Sequence, residues 1–170
     1  MTANPLIAHF QMLARYNTLA NSKIYNTCAT LPQPELHRIR PAFFKTIHGT
    51  LNHILIGDRI WLGRFAGEEV PSTGLNAILY PDFEALRQAR IEEDARIEAF
   101  TQTITEDFLS QTITYRNNAG NIHADRVSLL LAHFFNHQTH HRGQIHDMLS
   151  QTELAPPSLD MHRLLRPDPV

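Results

Sequence analysis

The stretch Ala132–Gln144, AHFFNHQTHHRGQ, sits inside a longer run, residues 127–149, whose apolar residues decide the fold. Taken as a helix advancing about 100° per residue from Val127, Ile145 returns to about 0°, Leu131 and Leu149 fall near 40°, and Phe134 falls near 340°. The run is therefore an amphipathic helix with one buried stripe. Its histidines divide by the same count. His141 falls at about 320° and His137 at about 280°, on the inner edge, whereas His133 and His140 fall further out at about 240° and 220°. His137 and His141, four residues apart, stand one turn above the other on one face, so two ring nitrogens can converge on one metal ion. His133 and His140 read as rim or surface residues.

Working outward, the remaining segments read as three more long helices. Residues 5–29 carry Leu6, Phe10, Leu13, Leu19 and Ile24 at helical spacing, with Pro5 suited to a first turn. The LPQP stretch at 31–34 breaks that helix. Pro41 opens a second, 41–66, with Phe43, Ile47, Leu51, Ile54, Trp61 and Phe65 inward. A long connection, 67–81, holds Gly67, Pro71, Gly74 and Pro81. A third helix, 82–103, turns Phe83, Leu86, Ile97 and Phe100 inward. Residues 111–126, QTITYRNNAGNIHADR, alternate and then turn at Asn117–Gly120, which predicts a β-hairpin. The last helix spans 125–151, with Asp125 as its expected N-cap. The Pro-rich tail, 152–170, reads as irregular. Four long helices and one small hairpin predict an all-α chain, a four-helix bundle in one domain over 1–170.

Composition narrows the function classes. A chain of 170 residues, 42% hydrophobic and 19% charged, is of ordinary globular make-up. A net charge of −2 gives no basic field for nucleic acid or an acidic membrane. No apolar run approaches a membrane span, and MTANPLIAHF lacks a signal-peptide pattern, so the expected location is cytoplasmic. The single Cys28 excludes an intrachain disulfide and any Cys-rich metal site, while eleven histidines favour imidazole chemistry. There is no HExxH motif, phosphate-cradling Gly loop, dinucleotide fingerprint or Ser-His-Asp motif.

A third ligand could come from the second helix, which offers His48 and His53. His48 lies about 85° from the centre of that helix's apolar stripe and His53 about 135° from it, so periodicity slightly prefers His48. Gln138 and Arg142 face the core of the last helix and Asp58 the core of the second, which predicts an Asp58–Arg142 ion pair bracing the two. His123 in the hairpin is a candidate acid or base at the site mouth. Tyr115 and Trp61 read as packing, and Cys28 as a buried helix residue.

Two stretches together resemble the DinB/YfiT-like family of metalloenzymes. One is TIHGTLNHILIGDRIWLGRF at 46–65, with Ile47, His53, Asp58 and Trp61 in the family's pattern. The other is NHQTHHRGQIHDML at 136–149, similar to the family's HxxxHRGQ signature. The resemblance extends over nearly the whole chain. It implies an up-down-down-up four-helix bundle, a homodimer, and a divalent metal held by His53, His137 and His141. That overrides the periodicity in favour of His53, and it requires the second helix to present more than one face to protein. It also implies thiol-dependent transfer or isomerisation in some members, with a low-molecular-weight thiol as cofactor. Three imidazoles leave an open metal position where water or a thiolate can be activated, and Zn, Ni, Fe or Mn are all compatible. The competing reading is a non-catalytic metal-binding or dimeric scaffold. The family name refers to DNA damage, but nothing here suggests DNA binding.

Overall fold

A computed structural model describes residues 4–68, 70, 73–117 and 119–166. Pro71 of the long connection, Asn118 of the hairpin turn and residues 167–170 of the tail lie outside these. The described chain forms α1 (Pro5–Ala29), α2 (Gln33–His37), α3 (Ile47–Ala66), α4 (Phe83–Gln102), α5 (Glu106–Ser110), β1 (Thr112–Arg116), β2 (Ile122–Arg126), α6 (Val127–Ser150) and α7 (Met161–Leu165).

Local chemistry sets the ends of the long helices. Asn4 accepts from the Leu6 amide and Pro5 opens α1; Thr46 accepts from Gly49 to open α3; Asp82 accepts from Ala85 to open α4. Gly67, at φ 69°, closes α3 in the left-handed conformation, and Glu68 N–H returns to the Gly63 carbonyl.

The four long helices form a bundle in which contacts fix both neighbours and directions. Along α1, Gln11, Asn17 and Asn26 meet Thr101, Asp94 and Arg87 of α4 in turn, so the two run antiparallel. Along α3, His53, Asp58 and Trp61 meet His141, Gln138 and His133 of α6, again antiparallel. Phe10 meets Phe135 while Asn21 meets Arg142, which makes α1 and α6 parallel. Asp58 meets Arg90 while Phe65 meets Phe100, which makes α3 and α4 parallel. The order along the chain is therefore up, down, down, up.

Each long helix crosses three layers. One apolar layer joins Ile24 and Cys28 of α1, Leu51 and Leu55 of α3, Phe83 and Leu86 of α4, and Ile145 and Leu149 of α6. The other joins Phe10, Trp61, Phe65, Ile97, Leu131 and Phe134. Between them lies a buried polar belt: Asn17, Asn21, Asp58, Arg90, Asp94, Gln138 and Arg142. Its two arginines and two aspartates balance, as buried charges must.

Several sequence expectations change. The second long helix begins at Ile47, not Pro41. Residues 40–46 fold instead into a tight loop, with Arg40 N–H donating to the Lys45 carbonyl (2.7 Å) and Lys45 at φ 65°. Phe43, expected in the core, is 79% exposed on this loop, and Leu6 is also exposed. Asp125 is not an N-cap. It belongs to β2 opposite Ile113 and accepts from the Tyr115 hydroxyl, so α6 starts at Val127 straight out of the hairpin. The tail is not wholly irregular, since it contains α7. The single-turn helices α2 and α5 are too short to leave a periodic signature. The hairpin itself is found where expected. Asn117 Oδ1 accepts from the Ala119 and Asn121 amides, and Gly120 takes φ 86°.

Candidate metal centre

Helix α3 is enclosed on nearly every side. From Ile47 to Gly63 only Gly49 and Arg59 are not buried. The enclosing elements are α4, α6, the connection after Gly67 and the hairpin. This is why periodicity misjudged His53: a helix buried all round has no single apolar stripe to measure against. His53 points off the main stripe and is still only 4% exposed.

The structure brings His53 of α3 together with His137 and His141 of α6. One ligating atom from each lies within 4.8 Å of the others. His53 Nε2 stands 3.1 Å from His137 Nε2 and 3.1 Å from His141 Nε2. The outer nitrogens are held. His53 Nδ1 is 2.8 Å from the Leu75 carbonyl, which can only accept, so Nδ1 carries the proton. His141 Nδ1 likewise meets Gln144 Oε1 at 2.8 Å. Both neutral rings thus turn Nε2 lone pairs toward each other with no proton between them. Such a pair repels unless a cation lies between. Nitrogens about 2.1 Å from a shared ion and 90–110° apart sit roughly 3.0–3.4 Å from one another, so the donor set fits a divalent metal.

Burial favours the unprotonated rings. It pushes His53 down to about 4, against the Leu75 hydrogen bond, and His137 down to about 3, with the neighbouring imidazoles adding to the effect. His141 is lowered for the same reason, against its bond to Gln144. Neutral imidazole is the ligating form.

The HxxxHRGQ signature and the pattern at 46–65 thus meet in one place. A family model described as the DinB family matches residues 2–168. The chain belongs to the DinB family. Protein DinB of Bacillus subtilis (strain 168) is similar to it, at 30% identity over 149 residues, covering 84% of this chain and 86% of that protein.

In this DinB-family chain the supporting residues differ from those expected. No Asp58–Arg142 ion pair forms within 4 Å. Asp58 pairs with Arg90 and accepts from Gln138 (2.7 Å), while Arg142 donates to Asn17 and Asn21. The belt braces all four helices rather than two. A third helix supplies Arg90, and sequence gave no hint of which buried acid would meet which base. The groups touching the imidazoles were not foreseen. They are the Leu75 carbonyl, Gln144, Phe44 and Gly57. Gln144 lies three residues after His141 on the same helical face, and that spacing could have identified it. Phe44 stacks on His53 (3.8 Å between centroids) and meets His141 edge-on (5.5 Å). A Cβ on Gly57 would come within 2.9 Å of His137 Cε1. Gly57 therefore provides the close approach of α3 to α6, whereas nothing lies within 4 Å of a Cβ on Gly143.

The other candidates stay apart. His48 is buried elsewhere, bonded through Nε2 to the Tyr80 carbonyl (2.8 Å) and against His37. His123 is exposed on β2 and bonded to Asn117. His133 packs on Trp61 at the rim, and His140 is exposed beside Gln144. Cys28 is buried, its thiol pushed up to about 12 by burial, and so is inert. Beyond the histidines a cleft of about 430 Å³ opens, walled by His53, His137, Gly57, Trp61, Arg64 and Tyr115 among others. No described helix is long and apolar enough to cross a membrane.

Proposed function

We propose that this protein is a metal-dependent enzyme acting on a small molecule, with His53, His137 and His141 holding one divalent ion, Zn, Ni, Fe or Mn. The observation that carries this reading is the cleft: two of the three histidines form part of its wall, so an ion held between them would be within reach of a substrate entering that space. When bound, such an ion supplies Lewis acidity that activates a water or a thiol. The chain's own part is to hold the ligands. Leu75 and Gln144 fix the tautomers, Phe44 covers one face of His53, and Gly57 lets His137 reach the site. The reaction class is thiol-dependent transfer, with a low-molecular-weight thiol as co-substrate, or hydrolysis. Nothing in its charge supports nucleic acid as a partner, and we place the protein in the cytoplasm. A homodimer belongs to the same proposal, supported by Ile39 and Phe43, each 79% exposed on the loop before α3.

The test is elemental analysis of protein purified without a histidine tag, beside His53→Ala and His137→Ala. We expect one divalent ion per chain, absent from both variants. The same trace of metal in all three proteins would overturn the site. Loaded protein is then screened with thiols and electrophiles; a loaded protein inert to every pair would leave the scaffold reading.

A further inference from the structure

Arg64 is the one guanidinium in the wall of the histidine cleft, and its surroundings are unusual for a half-buried cation. No carboxylate among the described residues lies within 4 Å of it. Instead it sits over the Trp61 ring at 4.6 Å and over the Tyr115 ring at 4.7 Å. Of its five N–H donors, one is used among the described residues, Nη2 to the Arg116 carbonyl at 2.9 Å. The two rings hold the fork flat and in place, so little side-chain freedom is left to lose when a planar anion docks.

Arg64 also stands where two clefts meet. The histidine cleft and a second of about 520 Å³ share Ile60, Arg64, Tyr115 and Asn117, and together make one trough between α3 and the hairpin. Arg64 lies seven residues beyond Gly57, against which His137 packs, a rise of roughly 10 Å along α3. The walls between are largely apolar or aromatic: Ile60, Trp61, Leu75 and Tyr115.

We infer that Arg64 is the recognition point for a carboxylate carried by the substrate at the end remote from the histidines. This assignment rests on the proposed metal centre for the reacting end. Arg116 and Glu68 also line the second cleft and offset each other in charge, so Arg64, set between aromatic rings, is the cation left to meet one planar monoanion through two parallel N–H bonds, rather than a multiply charged phosphate. The substrate class is then a carboxylic acid with an apolar middle that lies along Ile60, Trp61, Leu75 and Tyr115.

Trp61 is the only tryptophan of the chain, and it touches the guanidinium, so its fluorescence reports the site directly. The full-length protein, zinc-loaded and again after EDTA treatment, is titrated with hexanoate and with the uncharged hexanamide. Hexanoate is expected to change Trp61 emission saturably and to bind at least about tenfold tighter than hexanamide, with that advantage lost in Arg64→Gln and partly kept in Arg64→Lys. Equal binding of the acid and the amide to the wild type overturns the inference, without need of any variant. So does an Arg64→Gln protein of unchanged circular dichroism that still prefers the acid. The preference measured after EDTA treatment separates the two readings. If it persists in a protein that binds no zinc, the carboxylate site stands and the metal centre falls. If zinc binds and the preference is absent, the reverse holds.

Discussion

Gly57→Ala separates metal binding from folding, because the added methyl group meets a proposed ligand and not the core. Its Cβ would lie 2.9 Å from His137 Cε1, 3.4 Å from Nδ1 and 3.8 Å from Nε2. Carbon atoms in comfortable contact are about 3.5–4.0 Å apart, so the ring must withdraw by about 0.6–1 Å. Metal–ligand distances tolerate only about 0.2 Å. The expected loss of zinc affinity is about 10- to 100-fold, the scale on which displaced supporting groups act. Stability responds differently. Alanine favours the helix by about 0.5–1 kcal/mol over glycine, while the crowding costs about 1–3 kcal/mol, so the metal-free variant should lie within about 2.5 kcal/mol of the wild type. The assay is zinc competition against a chromophoric chelator, beside urea unfolding of EDTA-treated protein. Gly143→Ala is the control. Nothing lies within 4 Å of its Cβ, so it should gain the helical preference and keep its zinc affinity. A Gly57→Ala protein that binds zinc within twofold of the wild type would refute the reasoning.

Gln144→Ala leaves His141 without its Nδ1 partner and is expected to weaken zinc about tenfold or more with unchanged helicity, read by the same competition. Asp58→Ala removes the carboxylate that Arg90 and Gln138 share in the buried belt and leaves Arg90 with Asp94 alone (3.0 Å), so urea unfolding should show a loss of about 3 kcal/mol, against a smaller loss for Asp58→Asn. Metal-free protein should lose stability as pH falls. The unfolded chain takes up protons near the ordinary histidine value of about 6.5, whereas His53 and His137 resist until about 4 and about 3. The contribution is therefore full above about 6.5 and is lost progressively below it. His137→Ala should flatten the slope between about pH 6.5 and 4, and an unchanged slope in urea midpoints would count against the buried neutral ring.

Much of the bundle was legible because its helices carry their own signals. Val127 to Leu149 repeats its apolar residues at helical spacing, and the same spacing sorted His137 and His141 from His133 and His140 as the structure does. Asn117 and Gly120 announced the hairpin through turn chemistry. The boundaries were less legible. Pro41 looked like a helix start and Asp125 like a cap, but a loop bonded from Arg40 to Lys45 and a strand register opposite Ile113 took those residues instead. Local preference loses there to backbone bonds made by residues elsewhere in the chain.

The sequence by itself determined the helices, the hairpin and the inward pair His137 and His141, because each depends on residues a few positions apart. By periodicity it preferred His48 to His53; only the resemblance of the 46–65 pattern favoured His53. The tertiary structure decided what distance along the chain conceals. Enclosure of α3 from several sides puts His53 beside the pair, 84 and 88 residues away in sequence. It also turns Asp58 to Arg90, brings the Leu75 carbonyl to a ring nitrogen, and makes Gly57 the glycine that matters. Periodicity measures one face against solvent, and a helix that meets solvent almost nowhere gives it nothing to measure.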